Sequence, residues 1–294
     1  MTTVAPAPVP VRSPLPGGLS GTTAVLIGGS SGIGLAAGVL LRSVGARVVL
    51  VGRDPDRLEA AVARVRAAGP AADGGGTASG GTASGGMAPD GTASGGTDGG
   101  TGGDAVIGVP GDAGDEQALA AAFDRAGHVD HVLVTAGGVT GIGPLTGLSA
   151  DDIRAAAESR LLASFAIARA AATRLPAGGS LTFSSGILVV RPAPGMSAPL
   201  SVAGAVETLT KALAVELAPA RQRVNAVRFG RIDTPLLRSR PGLDSDEAIA
   251  AAGSAAPLGR YGTAEEAAAA ALFLMANNYV TGQVITVDGG ESLT

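Results

Sequence analysis

From residue 23 onward, short unbroken apolar runs alternate with longer stretches whose apolar residues recur every three to four positions. The run "TAVLIG" (23–28) precedes a helical pattern over about 33–44, and "ARVVLVG" precedes "DRLEAAVARVRAAG". A further run, "AVIGV", covers 105–109, and "HVLVTAGG" leads into a helical pattern over about 151–175. "SLTFSS" is followed by "PAPGMSAPLSVAGAVETL" (192–209), in which Val202, Ala205, Val206 and Leu209 stand at helical spacing. "RVNAVRFG" and "QVITVDGG" complete the series. Strands with one wet face alternate apolar and polar residues, whereas runs this continuous belong to strands buried on both faces and joined by helical crossovers. The pattern predicts an α/β fold: one Rossmann-type, doubly wound parallel sheet with helices on both faces.

Two segments depart from the pattern. Residues 1–21, beginning "MTTVAPAPVPVRSPLPGG", are Pro-rich and read as an extended, disordered tail with neither the basic start nor the apolar centre of a secretory signal. Within the domain at 22–294, residues 71–103 are dominated by glycine and repeat the unit TASGG. Such a segment cannot bury enough apolar surface to offset its ordering entropy, so a flexible insert is expected there. Loop-closure cost rises only slowly with length, which makes a long insert tolerable.

Composition narrows the chemistry. The chain has no cysteine, which removes disulfides, thiolate nucleophiles and cysteine-based metal sites. Its net charge of −4 is mild and evenly spread, against a nucleic-acid or anionic-membrane partner. No stretch reaches the roughly 18–20 uninterrupted apolar residues of a membrane span, so a cytoplasmic location is expected. Aromatic residues make up only 2%, so the core must be built from aliphatic side chains.

Candidate chemistry begins at "IGGSSGIG" (27–34), between the first strand and the first helix. Gly28, Gly32 and Gly34 permit a tight turn, and with Ser30, Ser31 and Ile33 they place backbone N–H groups and a helix start where a pyrophosphate could bind. This turn resembles the TGxxxGIG motif of the short-chain dehydrogenase/reductase family, with Ile27 at the usual Thr position. Further matches follow in order. Asp112 of "GDAGD" resembles the family's adenine-contacting Asp. Ala136 and Gly137 of "VTAGG" resemble its NNAG turn, and Gly230, Ile232 and Thr234 of "VNAVRFGRIDTPLL" resemble its VNAIxPGxIxTP segment. The resemblance spans about 22–290 outside the insert and implies a nicotinamide dinucleotide cofactor. Arg53, after the second strand, favours the 2′-phosphate of NADP, while the neighbouring Asp54 keeps NAD as the alternative. The family also implies a homodimer or homotetramer acting on a small molecule.

The same alignment exposes a gap. Family members move a proton with the Tyr of a Tyr-x-x-x-Lys motif, and here Pro199 and Ala203 stand at those two positions. Ser185 matches the family's catalytic Ser, and Arg160 replaces its Asn one helix earlier. Arg191, in the loop after the Ser strand, is a second cation placed to overhang the pocket. Guanidinium groups bind anionic oxygens but do not donate protons near neutral pH, so Ser185, Arg160 and Arg191 describe an anion-stabilising site. An ion pair of Arg160 with Glu158 is the structural alternative. His128 and His131 fall at the wrong end of their strand, roughly 20 Å from the ligand edge. Tyr279 also falls on the wrong side, whereas topology leaves Tyr261 open. Three functions therefore remain: an oxidoreductase with a non-standard site acting on a small carbonyl or hydroxy compound, a non-redox dehydratase or isomerase, or an inactive nucleotide-binding scaffold or sensor.

Overall fold

The computed structural model describes residues 16–70 and 104–294. The insert at 71–103 and residues 1–15 lie outside the described residues. Seven parallel strands form the central sheet: β1 (Thr23–Ile27), β2 (Arg47–Gly52), β3 (Val106–Pro110), β4 (His131–Val134), β5 (Ser180–Gly186), β6 (Arg223–Phe229) and, last along the chain, β9 (Val284–Val287). Their spatial order is β3-β2-β1-β4-β5-β6-β9, and every pairing is parallel. The order reverses between β1 and β4, which opens a crevice beyond the carboxyl ends of these strands. A small pair, β7 (Ile232–Asp233) with β8 (Gly262–Thr263), lies outside the main sheet.

Strand side chains alternate between two buried layers, which is why the apolar runs are unbroken. Val25, Ile27, Val49 and Val51 face a cluster with Phe123 and Ile167. That side is covered by α3 (Glu116–Ala126), α5 (Ala163–Ala172) and α6 (Ser197–Glu216). Ala24, Leu26, Val48 and Leu50 face α1 (Gly32–Ser43), α2 (Pro55–Ala67) and α9 (Ala264–Ala276). Leu19 joins this second cluster at 1% exposure, within a short turn at Pro16–Leu19, and Thr22 Oγ1 donates to its carbonyl at 2.7 Å. Among the described residues, packing thus reaches back to Leu19, inside the segment expected as tail.

The helix expected over 151–175 is continuous but not uniform. Between α4 (Ala150–Ala156) and α5 lies a π-helical turn, Ala157–Leu162. The wider turn contains Arg160, and Ser164 Oγ caps the displaced Arg160 carbonyl at 2.7 Å. Helix α6 starts at Ser197, five residues before Val202, where the apolar repeat begins. Pro199 therefore lies in its first turn, where a missing N–H costs nothing.

Candidate active site

The carboxyl ends of the sheet strands open onto a cavity of about 540 Å³. One wall is the glycine-rich turn. Gly28 has φ +93°, and a Cβ there would stand 2.5 Å from the Ala136 nitrogen, so only glycine allows β1 and β4 to end this close together. Ser31 is the N-cap of α1 but its side chain makes no capping bond, and Ser31, Gly32 and Ile33 line the cavity. The N–H groups of the helix start are thereby left facing open space, where an anion would be stabilised. These residues fit a dinucleotide pyrophosphate. Gly137, Gly230, Ile232 and Thr234 line the same cavity. Gly34 and Ala136 lie behind it as packing for the turn, since a Cβ on Gly34 would stand 2.3 Å from the Gly28 carbonyl oxygen.

Ser30 opens instead onto an adjoining depression of about 940 Å³ that it shares with Ser31, Gly32, Arg57 and Arg64. Arg53 and Asp112 stand at the ends of β2 and β3, with the Arg53 Nε 3.8 Å from an Asp112 carboxylate oxygen. Both are well exposed, so this contact is weak and yields readily to a ligand. Asp112 also accepts from the Gly114 N–H at 2.9 Å, which fixes its carboxylate at the strand end.

The other wall carries the residues expected to do chemistry. Ser185, Pro199 and Ala203 all line the cavity. Arg160 reaches across from the π-helical turn, and its Nη2 donates to the Ser184 carbonyl at 2.7 Å. Its Nη1 lies over Gly137, where a Cβ would approach to 3.2 Å. Arg160 makes no ion pair with Glu158. Burial lowers its pKa from the ordinary guanidinium value, and the negative charge of Glu207 opposes that shift. The group remains a cation throughout the physiological range.

Ser185 makes a contact that no motif announced. Its Oγ donates to Glu207 Oε1 at 2.7 Å, and Glu207 is only 8% exposed. Arg228 on β6 grips the same carboxylate with both arms, Nε to Oε1 at 2.9 Å and Nη2 to Oε2 at 2.5 Å. The Glu207 hydrogen bond holds the Arg228 guanidinium above its ordinary pKa against the opposing effect of burial. Glu207 is one turn beyond Ala203 on α6, within the apolar stripe. A charged residue on a buried helical face was the one available signal.

Arg191 is not part of this wall. Its Nη1 donates to the Glu291 carbonyl at 2.7 Å and to Thr294 Oγ1 at 3.3 Å, so it ties the C-terminal turn to the loop after β5. Arg231 and Arg240 line the cavity in its place. Arg231 is paired with Glu291, whose other oxygen accepts from the Arg231 N–H at 2.8 Å. Met196, the N-cap of α6, and Leu200, near its start, also line the cavity. His131 is fully buried at the opposite end of β4 and bonds Ser180 Oγ at 2.9 Å, and His128 contacts Asp130. Tyr279 is 99% exposed, and Tyr261 does not line the cavity.

A doubly wound parallel sheet with a glycine-rich turn at its switch point defines a dinucleotide-binding α/β protein. Residues 98–292 match the family model described as enoyl-(acyl carrier protein) reductase. The chain belongs to the short-chain dehydrogenase/reductase family of oxidoreductases, whose members bind nicotinamide dinucleotides and act on small molecules, usually as oligomers. It is 29% identical to the short-chain dehydrogenase/reductase ATR9 of Stachybotrys chlorohalonatus, over 94% of this chain and 98% of that one. It is also 29% identical to carbonyl reductase family member 4 of Danio rerio, over 92% of this chain and 98% of the relative. A solved short-chain type dehydrogenase/reductase from Mycobacterium ulcerans superimposes with a TM-score of 0.74 at 30% identity, covering 93% of this chain and 90% of that one. Among the described residues, no helix is long and apolar enough to cross a membrane.

Proposed function

We propose that the protein is an NADP(H)-binding oxidoreductase with a non-standard active site, acting on a small carbonyl or hydroxy compound. The observation that carries this reading is that the uncapped start of α1 and Ser185 line one cavity. A nicotinamide bound there would supply the hydride or accept it. Gly28, Ser31, Gly32 and Ile33 would seat the pyrophosphate, and Arg53 would face a 2′-phosphate. Ser185 and Arg160 would orient the reacting oxygen. With Pro199 and Ala203 in place of Tyr and Lys, the proton must be exchanged with water, which forfeits about 10²–10⁴-fold in rate. Hydride positioning and charge stabilisation remain available to catalysis.

One observation favours a second reading, a nucleotide-binding scaffold that does not turn over: among the described residues, the ionisable side chains lining the cavity are all arginines. NADPH fluorescence titration followed by absorbance assays over ketones, quinones and alcohols separates the two. Turnover that Ser185→Ala abolishes supports the enzyme. Tight NADPH binding with no turnover on any substrate supports the scaffold, and absence of NADPH and NADH binding overturns both. A homodimer or homotetramer is the proposed assembly, tested by light scattering.

A further inference from the structure

Arg160 is a partly desolvated cation whose hydrogen-bonding capacity is mostly unused. One donor goes to the Ser184 carbonyl, while Nε is buried and meets no acceptor. The carboxylate that acts on it electrostatically, Glu207, has both oxygens engaged by Arg228 and one also by Ser185. Among the described residues, no Asp or Glu side chain lines the cavity, and its charged lining consists of Arg160, Arg231 and Arg240. A cation removed from water that shares its counter-charge with Arg228 is costly, and an anionic oxygen from a ligand would relieve that cost with hydrogen bonds to spare.

The second constraint comes from Ser185. A carboxylate bridged by a guanidinium only accepts hydrogen bonds, so the Ser185 proton is committed to Glu207. What Ser185 Oγ shows to the cavity is therefore its lone pairs. In that state it can receive a hydrogen bond from a ligand hydroxyl but cannot give one to a carbonyl oxygen.

We propose that the cavity takes a small hydroxy carboxylate, its carboxylate on the Arg160 guanidinium and its hydroxyl donating to Ser185. This names a substrate class for the site proposed above and rests on its small-molecule half, not on the identity of the nucleotide. On the α6 side the lining residues Met196, Pro199 and Leu200 are apolar and suit an uncharged body between or beyond the two polar groups.

The test uses the full chain and three probes of one shape: mandelate, mandelamide and phenylglyoxylate, with affinities read by ligand-observed NMR and NADP⁺ binding measured in parallel. Mandelate is expected to bind about tenfold or more tighter than mandelamide, the scale of one charge-assisted contact. Arg160→Gln should erase that preference without weakening NADP⁺, and Arg160→Lys should retain part of it, which separates loss of charge from loss of fold. Phenylglyoxylate, which keeps the carboxylate but has no hydroxyl, should bind several-fold more weakly than mandelate, a gap that Ser185→Ala should close. Undetectable mandelate binding at millimolar concentration overturns the proposal. So do equal affinities for mandelate and mandelamide, or a preference that survives Arg160→Gln. Phenylglyoxylate binding as tightly as mandelate overturns the hydroxyl assignment. Intact mandelate selectivity without NADP⁺ binding would refute the nucleotide reading alone.

Discussion

Ser185 Oγ on β5 donates a 2.7 Å hydrogen bond to Glu207 Oε1 on α6, 22 residues further along the chain. The contact joins Ser185, the residue that resembles the family's catalytic Ser, to a buried acid outside the motifs that carry the resemblance. Its partner Arg228 on β6 completes a bridge between helix and sheet.

Breaking that bridge from one side should be far worse than removing it. Glu207→Leu removes the carboxylate that Arg228 grips at 17% side-chain exposure and should cost about 3–5 kcal/mol. The double variant Glu207→Leu/Arg228→Leu should recover most of the loss. Urea denaturation of the two single variants and the double checks this, and additive losses would refute the coupling.

Rebuilding the family's proton donor should require removing Arg160. Pro199, Ala203 and Arg160 line the same cavity, so a new Lys at 203 would add a second cation beside an existing one. Pro199→Tyr/Ala203→Lys alone should lower stability with little gain in rate. Adding Arg160→Asn should raise ketone reduction by about 10²-fold, the low end of general-acid assistance. NADPH oxidation rates across the series decide the matter.

Cofactor choice should turn on one side chain. Arg53 is exposed and held only by its 3.8 Å contact with Asp112, free to meet a phosphate at little cost. Arg53→Asp should weaken NADPH about tenfold or more and leave NADH equal or tighter, because the new carboxylate repels a 2′-phosphate and accepts from ribose hydroxyls. Fluorescence titration with both nucleotides measures the switch, and an unchanged NADPH affinity would refute it.

Arg191 should behave as a structural tether. Arg191→Ala removes two bonds to the C-terminal turn and should cost about 1 kcal/mol, with NADPH and mandelate affinities unaltered. Thermal melting with parallel titrations tests both halves.

Acid stability should carry the signature of the α9 start. Glu266 accepts from the Thr263 N–H at 2.9 Å and from both arms of Arg260, chiefly the latter, which lowers its pKa from 4.5 to about 2. A depressed carboxylate pKa adds stability that is full above 4.5 and lost as pH falls towards 2. The site is about half exposed, so screening keeps the effect small. The Tm difference between the protein and Glu266→Gln should shrink steadily over that window, and a constant difference would exclude the mechanism.

The succession of strands and helices along the chain and the glycine-rich turn were legible in the chain, because each depends on neighbouring residues. Apolar runs buried on both faces mark parallel strands, and a turn that admits only glycine leaves its mark in three positions of one short segment. Arg160 was legible as a candidate but its state was not, since its desolvation arises from β4, β5 and α6 together. Arg191 shows the converse: its loop position pointed to the pocket, whereas the fold brings Glu291 and Thr294, a hundred residues away, within its reach. Glu207 and Arg228 were invisible for the same reason. A local pattern records which way a side chain faces; only the packing of α6 on β5 and β6 decides that the Ser185 proton is spent on Glu207, and so what kind of oxygen the cavity can receive.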